Sequence, residues 1–503
     1  VSPLHLASLN LLAILCALAA ACGSSAPAEV STPTVSSRAI PAGKAAGAPL
    51  LVWPEFGLDP RRSDVSERPT GIAAADLPRL RRQTVVLPGT VDSSPVYLHG
   101  ALVAGASHDT IILTTTYGKT LAIDARAGRI LWTFTPPGYA RWAGSAQITT
   151  TSPLLDPDRQ HVYAASPDGL IHKLSLADGG EAPGWPVRVT LDPRHEKLAA
   201  ALNIDGPDLL VATGGYFGDA PPYQGHLALL DRATGRLAGV FNTLCANRRG
   251  LLAPSSCPAS DSAILARAGA VVEPGGARIL LDTGNGPWNG STDFGDSVLE
   301  LSFPALSLRQ SYTPTDQAQL ESSDTDLGSS APALLGDDRA MVAGKDGVIR
   351  VLALSRLDGR RPAGAHRRRL GGELQRLPLP GGGELFTAPA VWRHGGRTTV
   401  FLADASATAA YVLRRGRLYR AWQSAHPGTS PVMAGGLLYV YDPAAGGIYV
   451  YRPSSPRPLA KLPGGSGHWN SPIVLDGHVV EPEGNANDHA LAGTLSIFSL
   501  GGG

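Results

Sequence analysis

The stretch GKTLAIDARAGRILWTF, Gly118 to Phe134, decides the fold. A glycine opens it, apolar and polar residues alternate, and a polar turn from Asp124 to Gly128 leads into a second short run ending near Trp132. Alternation of period two on both sides of a Gly-containing turn is the pattern of a β-hairpin. The pattern returns in DGLIHKLSLADGGEAPGW from Asp168, QGHLALLDRATGRLAGVF from Gln224, KDGVIRVLALSRLDG from Lys345 and GGIYVYRPSSPRPLAKL from Gly446. The chain is a tandem repeat.

A second landmark precedes each hairpin: a small residue and a proline opening a β-rich run. It occurs at Pro95, Pro153, Pro332, Pro389, Pro431 and Pro472, with degenerate copies near Ala201 and Gly269. Eight landmarks, 41 to 68 residues apart, predict eight four-stranded antiparallel units. Units that cannot bury both faces alone stack around an axis, which also protects their edges. The expected fold is therefore all-β, an eight-bladed β-propeller. Only about thirty residues follow Pro472, too few for a whole blade, so Thr84 to Val91 (TVVLPGTV) is expected to complete the last one.

Composition agrees. With 59 Gly and 42 Pro in 503 residues, long helices are disfavoured and short strands with many turns are favoured. A net charge of +1 gives no reason to expect nucleic acid, and the basic run at Arg367 to Arg369 reads as a solvated loop.

The N-terminus points to export. Leu9 to Ala21 is an apolar run too short to span a bilayer comfortably, followed by Cys22 and a polar Ser/Pro/Ala stretch. Small residues before the cysteine resemble a bacterial lipoprotein signal, which implies lipidation at Cys22 and a membrane anchor. Cleavage by an ordinary signal peptidase, with release of the protein, is the alternative. The expected organisation is a signal segment over 1–22, a linker over 23–50 and a propeller over 51–503. In an oxidising compartment, Cys245 and Cys257 are expected to pair, since neither has the neighbours of a zinc site.

The copy from Gly118 to Trp132 resembles the repeat of pyrroloquinoline-quinone (PQQ) propellers, as LVWPEFGLDPRRSD from Leu51 resembles the lead-in of PQQ-like repeat proteins. The resemblance spans about Trp53 to Leu500. In quinoprotein alcohol dehydrogenases of this class, Ca²⁺ is held by the quinone, a Glu and an Asn; an Asp is the base, and an Arg or Lys contacts the quinone. TGNGPWN from Thr283, with the following GDS, resembles the Asn-bearing loop and implies Asn285 as a Ca²⁺ ligand. SSDTDLGSSAP resembles the base-bearing segment and implies Asp326 as base and quinone contact, with Asp324 as a second metal ligand. GKDGVIRVL implies Lys345 as the quinone-contacting cation. The cofactors so implied are PQQ and Ca²⁺, and Trp288 could stack on such a planar ligand.

Several parts of that pattern are missing. No Cys-Cys pair occurs, and neither Glu181 nor Glu196 lies in a matching motif; Asp219 could replace the missing Glu. The competing expectation makes Asn285 and Asp296 turn caps, Asp324 and Asp326 Asx-turn residues, Lys345 a solvated turn residue, Trp288 packing and His468 a turn histidine. Two functions follow. One is a tethered binding or scaffold propeller, comparable to the lipoprotein propeller of the outer-membrane β-barrel assembly machinery, taking an unidentified protein or small molecule at its face. The other is a PQQ/Ca²⁺-dependent dehydrogenase of an alcohol or sugar. The sequence favours the first, because the Glu ligand is absent.

Overall fold

A computed structural model describes residues 51–501, apart from Phe217, Asp219 and residues 358–368. The expected leader, Cys22, the linker and the Asp219 alternative lie outside the described residues. Eight antiparallel sheets follow one another along the chain, each with four strands of its own blade. The innermost strands are Val96–Val103, Leu154–Leu155, Asn203–Asp205, Val271–Val272, Ala333–Gly336, Ala390–His394, Val432–Ala434 and Ile473–Leu475. Each begins within two residues of one of the eight landmarks, so the small-residue and proline signal marks the turn onto the axis.

Period two explains the layering. In Thr120–Asp124 the residues Leu121 and Ile123 pack in a different cluster from Ala122, because the two faces of a blade meet different neighbours. The apolar clusters accordingly lie between adjacent blades: one joins blades 1 and 2, another blades 2 and 3, and so on round the ring. Trp132, the last residue of the best repeat copy, donates its indole N–H to the Leu176 carbonyl of the next blade at 2.9 Å. Trp422 does the same to Pro453 at 2.9 Å, so these two outer strands are docked on the next blade.

Ring closure uses both ends of the described chain. Leu80–Leu87 pairs antiparallel with Gly493–Leu500 as the outermost strand of blade 8. The closing strand begins four residues before the expected Thr84 and stops at Leu87. Pro88, which has no N–H to donate, follows it. The seam is filled by one apolar cluster drawn from blades 7, 8 and 1, including Val85, Leu87, Tyr97, Tyr439 and Ile497.

The lead-in explains why LVWPEFGLDPRRSD carries so many fixed side chains. Val52–Trp53 adds a short strand to blade 1, and Val65–Ser66 runs parallel to the inner strand of blade 7. Between them Pro54 accepts from Leu155 of blade 2, Pro60 from Val272 of blade 4, and Ser63 from Val391 of blade 6. Arg62 is buried and donates to Glu55 at 2.8 Å, to the Phe56 carbonyl, and to the carbonyls of Leu202 and Ala268 before blades 3 and 4. The lead-in therefore lies across the ends of the inner strands and covers that side of the ring. The opposite side carries the segments that enter each blade, and the candidate site is there.

Candidate functional site

Loops entering the blades converge on a cavity of about 240 Å³ at the open mouth of the channel. Asp92 comes from the approach to blade 1, Lys197 from that to blade 3, Arg267 from that to blade 4, and Asp324 and Asp326 from that to blade 5. Phe386 and Trp469, from the approaches to blades 6 and 8, stack with centroids 4.8 Å apart and form an apolar wall. Lys345 reaches the same space from the turn inside blade 5.

The residues singled out by resemblance do meet. Asp326 Oδ1 accepts the backbone N–H of Asn285 at 2.7 Å, and its Oδ2 lies 2.5 Å from Lys345 Nζ. Lys345 also lies 3.3 Å from the exposed Asp324 carboxylate. Burial pulls the Lys345 amine down, but Asp326 and Asp324 outweigh it and hold the amine above its ordinary value. Gly284 makes the first contact feasible: a Cβ there would stand 2.3 Å from Asp326 Oδ1.

The glycine-rich loop itself is a folded turn. The Asn289 side-chain oxygen accepts from the N–H groups of Ser291 and Thr292, and Gly295 packs so tightly on Gly286 that any side chain would collide with its carbonyl. The Cys245–Cys257 disulfide is present, and its segment holds this loop through Cys245 N–H to Asp293 Oδ1 and Ala246 N–H to the Thr292 carbonyl. Trp288 packs against the apolar cluster shared by blades 3 and 4. Asp296 does not cap its own turn; its Oδ1 accepts from Leu327 N–H at 3.1 Å, and burial pushes its carboxyl up to about 8.

Ca²⁺ binding needs about six to eight oxygens. Here both oxygens of Asp326 are engaged, one by an N–H and one by an ammonium, and Asn285 approaches Asp326 through its backbone. Glu196 is buried against His226 and Thr190, and Glu181 bonds His172. Among the described residues, the one group of three His, Cys, Asp or Glu ligand atoms close enough for a metal is His99, Asp109 and Asp476, on the covered side of the ring. The mouth residues do not fit a Ca²⁺–quinone site.

Sequence reading missed five of the residues that shape the mouth: Asp92, Lys197, Arg267, Phe386 and Trp469. Arg267 is buried and donates to Asp92 Oδ1 at 2.8 Å and to the carbonyls of Asp92 and Thr150, leaving its Nε without a partner. Burial raises the Asp92 carboxyl, but Arg267 and His468 reverse this and hold it well below the usual range. His468, expected as a turn residue, bonds Asp92 through Nδ1 at 2.8 Å and stacks on Trp469. Phe386, Trp469 and Lys197 complete the set. No repeat position marks these residues, because they lie in the irregular approaches between blades.

Fold and mouth together define a propeller covered on one side, with a charged, aromatic-walled pocket on the other. The fold is that of a PQQ-like β-propeller. A family model described as outer membrane protein assembly factor BamB matches residues 67–248. No curated protein matches the sequence. Among solved structures it resembles the quinohemoprotein alcohol dehydrogenase from Comamonas testosteroni, with TM-score 0.65, 16% identity, and 90% of this chain and 81% of that chain covered. A europium-containing methanol dehydrogenase gives TM-score 0.65 and 15% identity, covering 89% and 98%. BamB from Moraxella catarrhalis gives 0.51 and 13%, covering 84% and 99%. At these identities the likeness is one of fold.

Proposed function

We propose that the chain is an exported binding propeller, anchored through a lipid on Cys22, that takes its ligand at the channel mouth and does not oxidise alcohols. One observation carries the reading: Asp326, the residue at the base position, is held between the Asn285 N–H and the Lys345 ammonium. The ammonium occupies the oxygen that a base would use and competes with any metal ion for it. The approach to blade 3 brings Lys197, not an acid, to the mouth, while Glu196 beside it is buried against His226 and Thr190.

The dehydrogenase reading is favoured by one fact, the meeting of Asn285, Asp326 and Lys345. Titration with PQQ and Ca²⁺, followed by calorimetry and by dye-linked alcohol oxidation, separates the two. Weak or no binding without turnover is expected. Tight binding lost in both Asn285→Ala and Asp326→Ala, together with turnover, would make the chain an enzyme. For the anchor, Cys22→Ala should move the protein from the membrane to the soluble fraction, and unchanged partitioning would rule out the lipid.

A further inference from the structure

Lys197 lies on a two-stranded ribbon, Glu196–Lys197 against Gly214–Gly215. Adjacent residues of a strand point to opposite sides. Glu196 is buried and fixed by His226 Nε2 at 2.9 Å and by the Thr190 hydroxyl, so Lys197 is turned the other way, into the mouth. There it makes no hydrogen bond or ion pair with any described residue. The nearest acid, Asp92, is already engaged by Arg267, by His468 and by the Ala486 N–H at 3.0 Å. Asp324 and Asp326 face the same cavity but hold Lys345. The cavity is thus lined by an amine without a partner, that of Lys197, and by Arg267, whose guanidinium sits over the Trp469 ring at 4.9 Å.

We infer that Lys197 is a nucleophilic amine that captures a small carboxylate-bearing carbonyl compound as an imine. Arg267 is the group that would attract the carboxylate, and Trp469 with Phe386 would cover the flat carbon skeleton. The amine nitrogen forms a bond to the carbonyl carbon, the carbon–oxygen bond breaks, and the oxygen leaves as water with both amine hydrogens. No oxidant or reductant is needed, and hydrolysis reverses the step. Burial, and then the Arg267 charge, push the Lys197 amine down to about 8 against a smaller opposing effect of Asp92, so a sizeable neutral fraction exists near neutral pH. The cavity of about 240 Å³ has room for such a ligand.

The inference rests on the mouth being a ligand site, and the test separates the two. The full chain is incubated with glyoxylate and cyanoborohydride, and each lysine is followed by peptide mass spectrometry. Lys197 should be carboxymethylated about tenfold or more faster than Lys119, Lys345 and Lys461 at pH 7, with its rate half-maximal near pH 8. Lys345, in the same cavity but paired with Asp326, is the internal control. Labelling of Lys197 at or below the rate of Lys461 overturns the proposal. Calorimetry with glyoxylate alone then decides what remains. Heat that persists in Lys197→Met, with no adduct in the native chain, leaves a non-covalent ligand site; neither heat nor adduct removes the ligand site at the mouth as well.

Discussion

Asp296 shows how one side chain of the glycine-rich loop couples stability to pH. Its Oδ2 is buried without a partner, and burial raises the carboxyl to about 8, while Leu327 N–H opposes this and the Asp326 charge adds to it. An unfolded aspartate titrates near 4. The folded chain therefore keeps a proton that the unfolded chain releases. The contribution is fully present below about pH 4 and is lost as pH rises towards 8. Asp282 and Glu481, also buried with unpartnered oxygens, are raised in the same direction. Asp296→Asn keeps the acceptor for Leu327 and removes the titration. Melts at pH 5 and pH 8 should show the variant gaining on the native chain by on the order of 3–4 kcal/mol at the higher pH. An equal difference at both values would assign the pH dependence to other groups.

Two elements outside the repeat carry disproportionate strain on polar satisfaction. The lead-in is tied down by Arg62, whose burial lowers its own basicity while Glu55 restores part of it. Glu55 is raised by burial to about 7 even with Arg62 beside it. Removing one member of a buried pair strands the other, at a cost of about 3–5 kcal/mol. Arg62→Met should cost that much in denaturant unfolding, because several carbonyls lose their donor too. The double variant with Glu55→Gln should recover part of the loss. The second element is the disulfide segment, Cys245 to Cys257, which clasps the 283–297 loop. Its two half-cystines are buried with Leu252 in a small cluster of their own. Converting both to serine should lower stability by about 3 kcal/mol and expose the loop to protease. A non-reduced digest of the native chain should yield the two peptides linked. Two freely alkylated thiols would contradict the bridge.

At the scale of the whole molecule, what could be read from the sequence divides along the repeat. Pro95, Pro153 and their counterparts lie at the start of inner strands, a role that recurs with every unit, and Trp132 docks its blade on the next, as Trp422 does. Asn285, Asp326 and Lys345 were legible only through family resemblance, and the structure joins them to one another. Lys197, Arg267 and Trp469 were not legible, since which approach residue faces the axis depends on ring geometry and leaves no local period. Closure was legible from a shortage of residues, and it carries the last prediction. Leu80–Leu87 and Gly493–Leu500 register over eight residue pairs, with Val85, Leu87, Leu495 and Ile497 buried in the cluster that spans blades 7, 8 and 1. Asp476 adds polar bonds across the same seam, accepting from Tyr97 at 2.5 Å and meeting His99 at 2.8 Å. The closing strand is the main-chain ladder of this seam, backed by side-chain bonds such as those of Asp476, so losing it should loosen both ends. A chain ending at Ala492 would leave Leu80–Leu87 unpaired and open the apolar cluster on blades 7 and 1. It should melt earlier and over a broader range than the native chain, with early proteolysis near Leu80. A native-like single transition at an unchanged midpoint would show that packing between blades, without the closing strand, is enough to hold the ring.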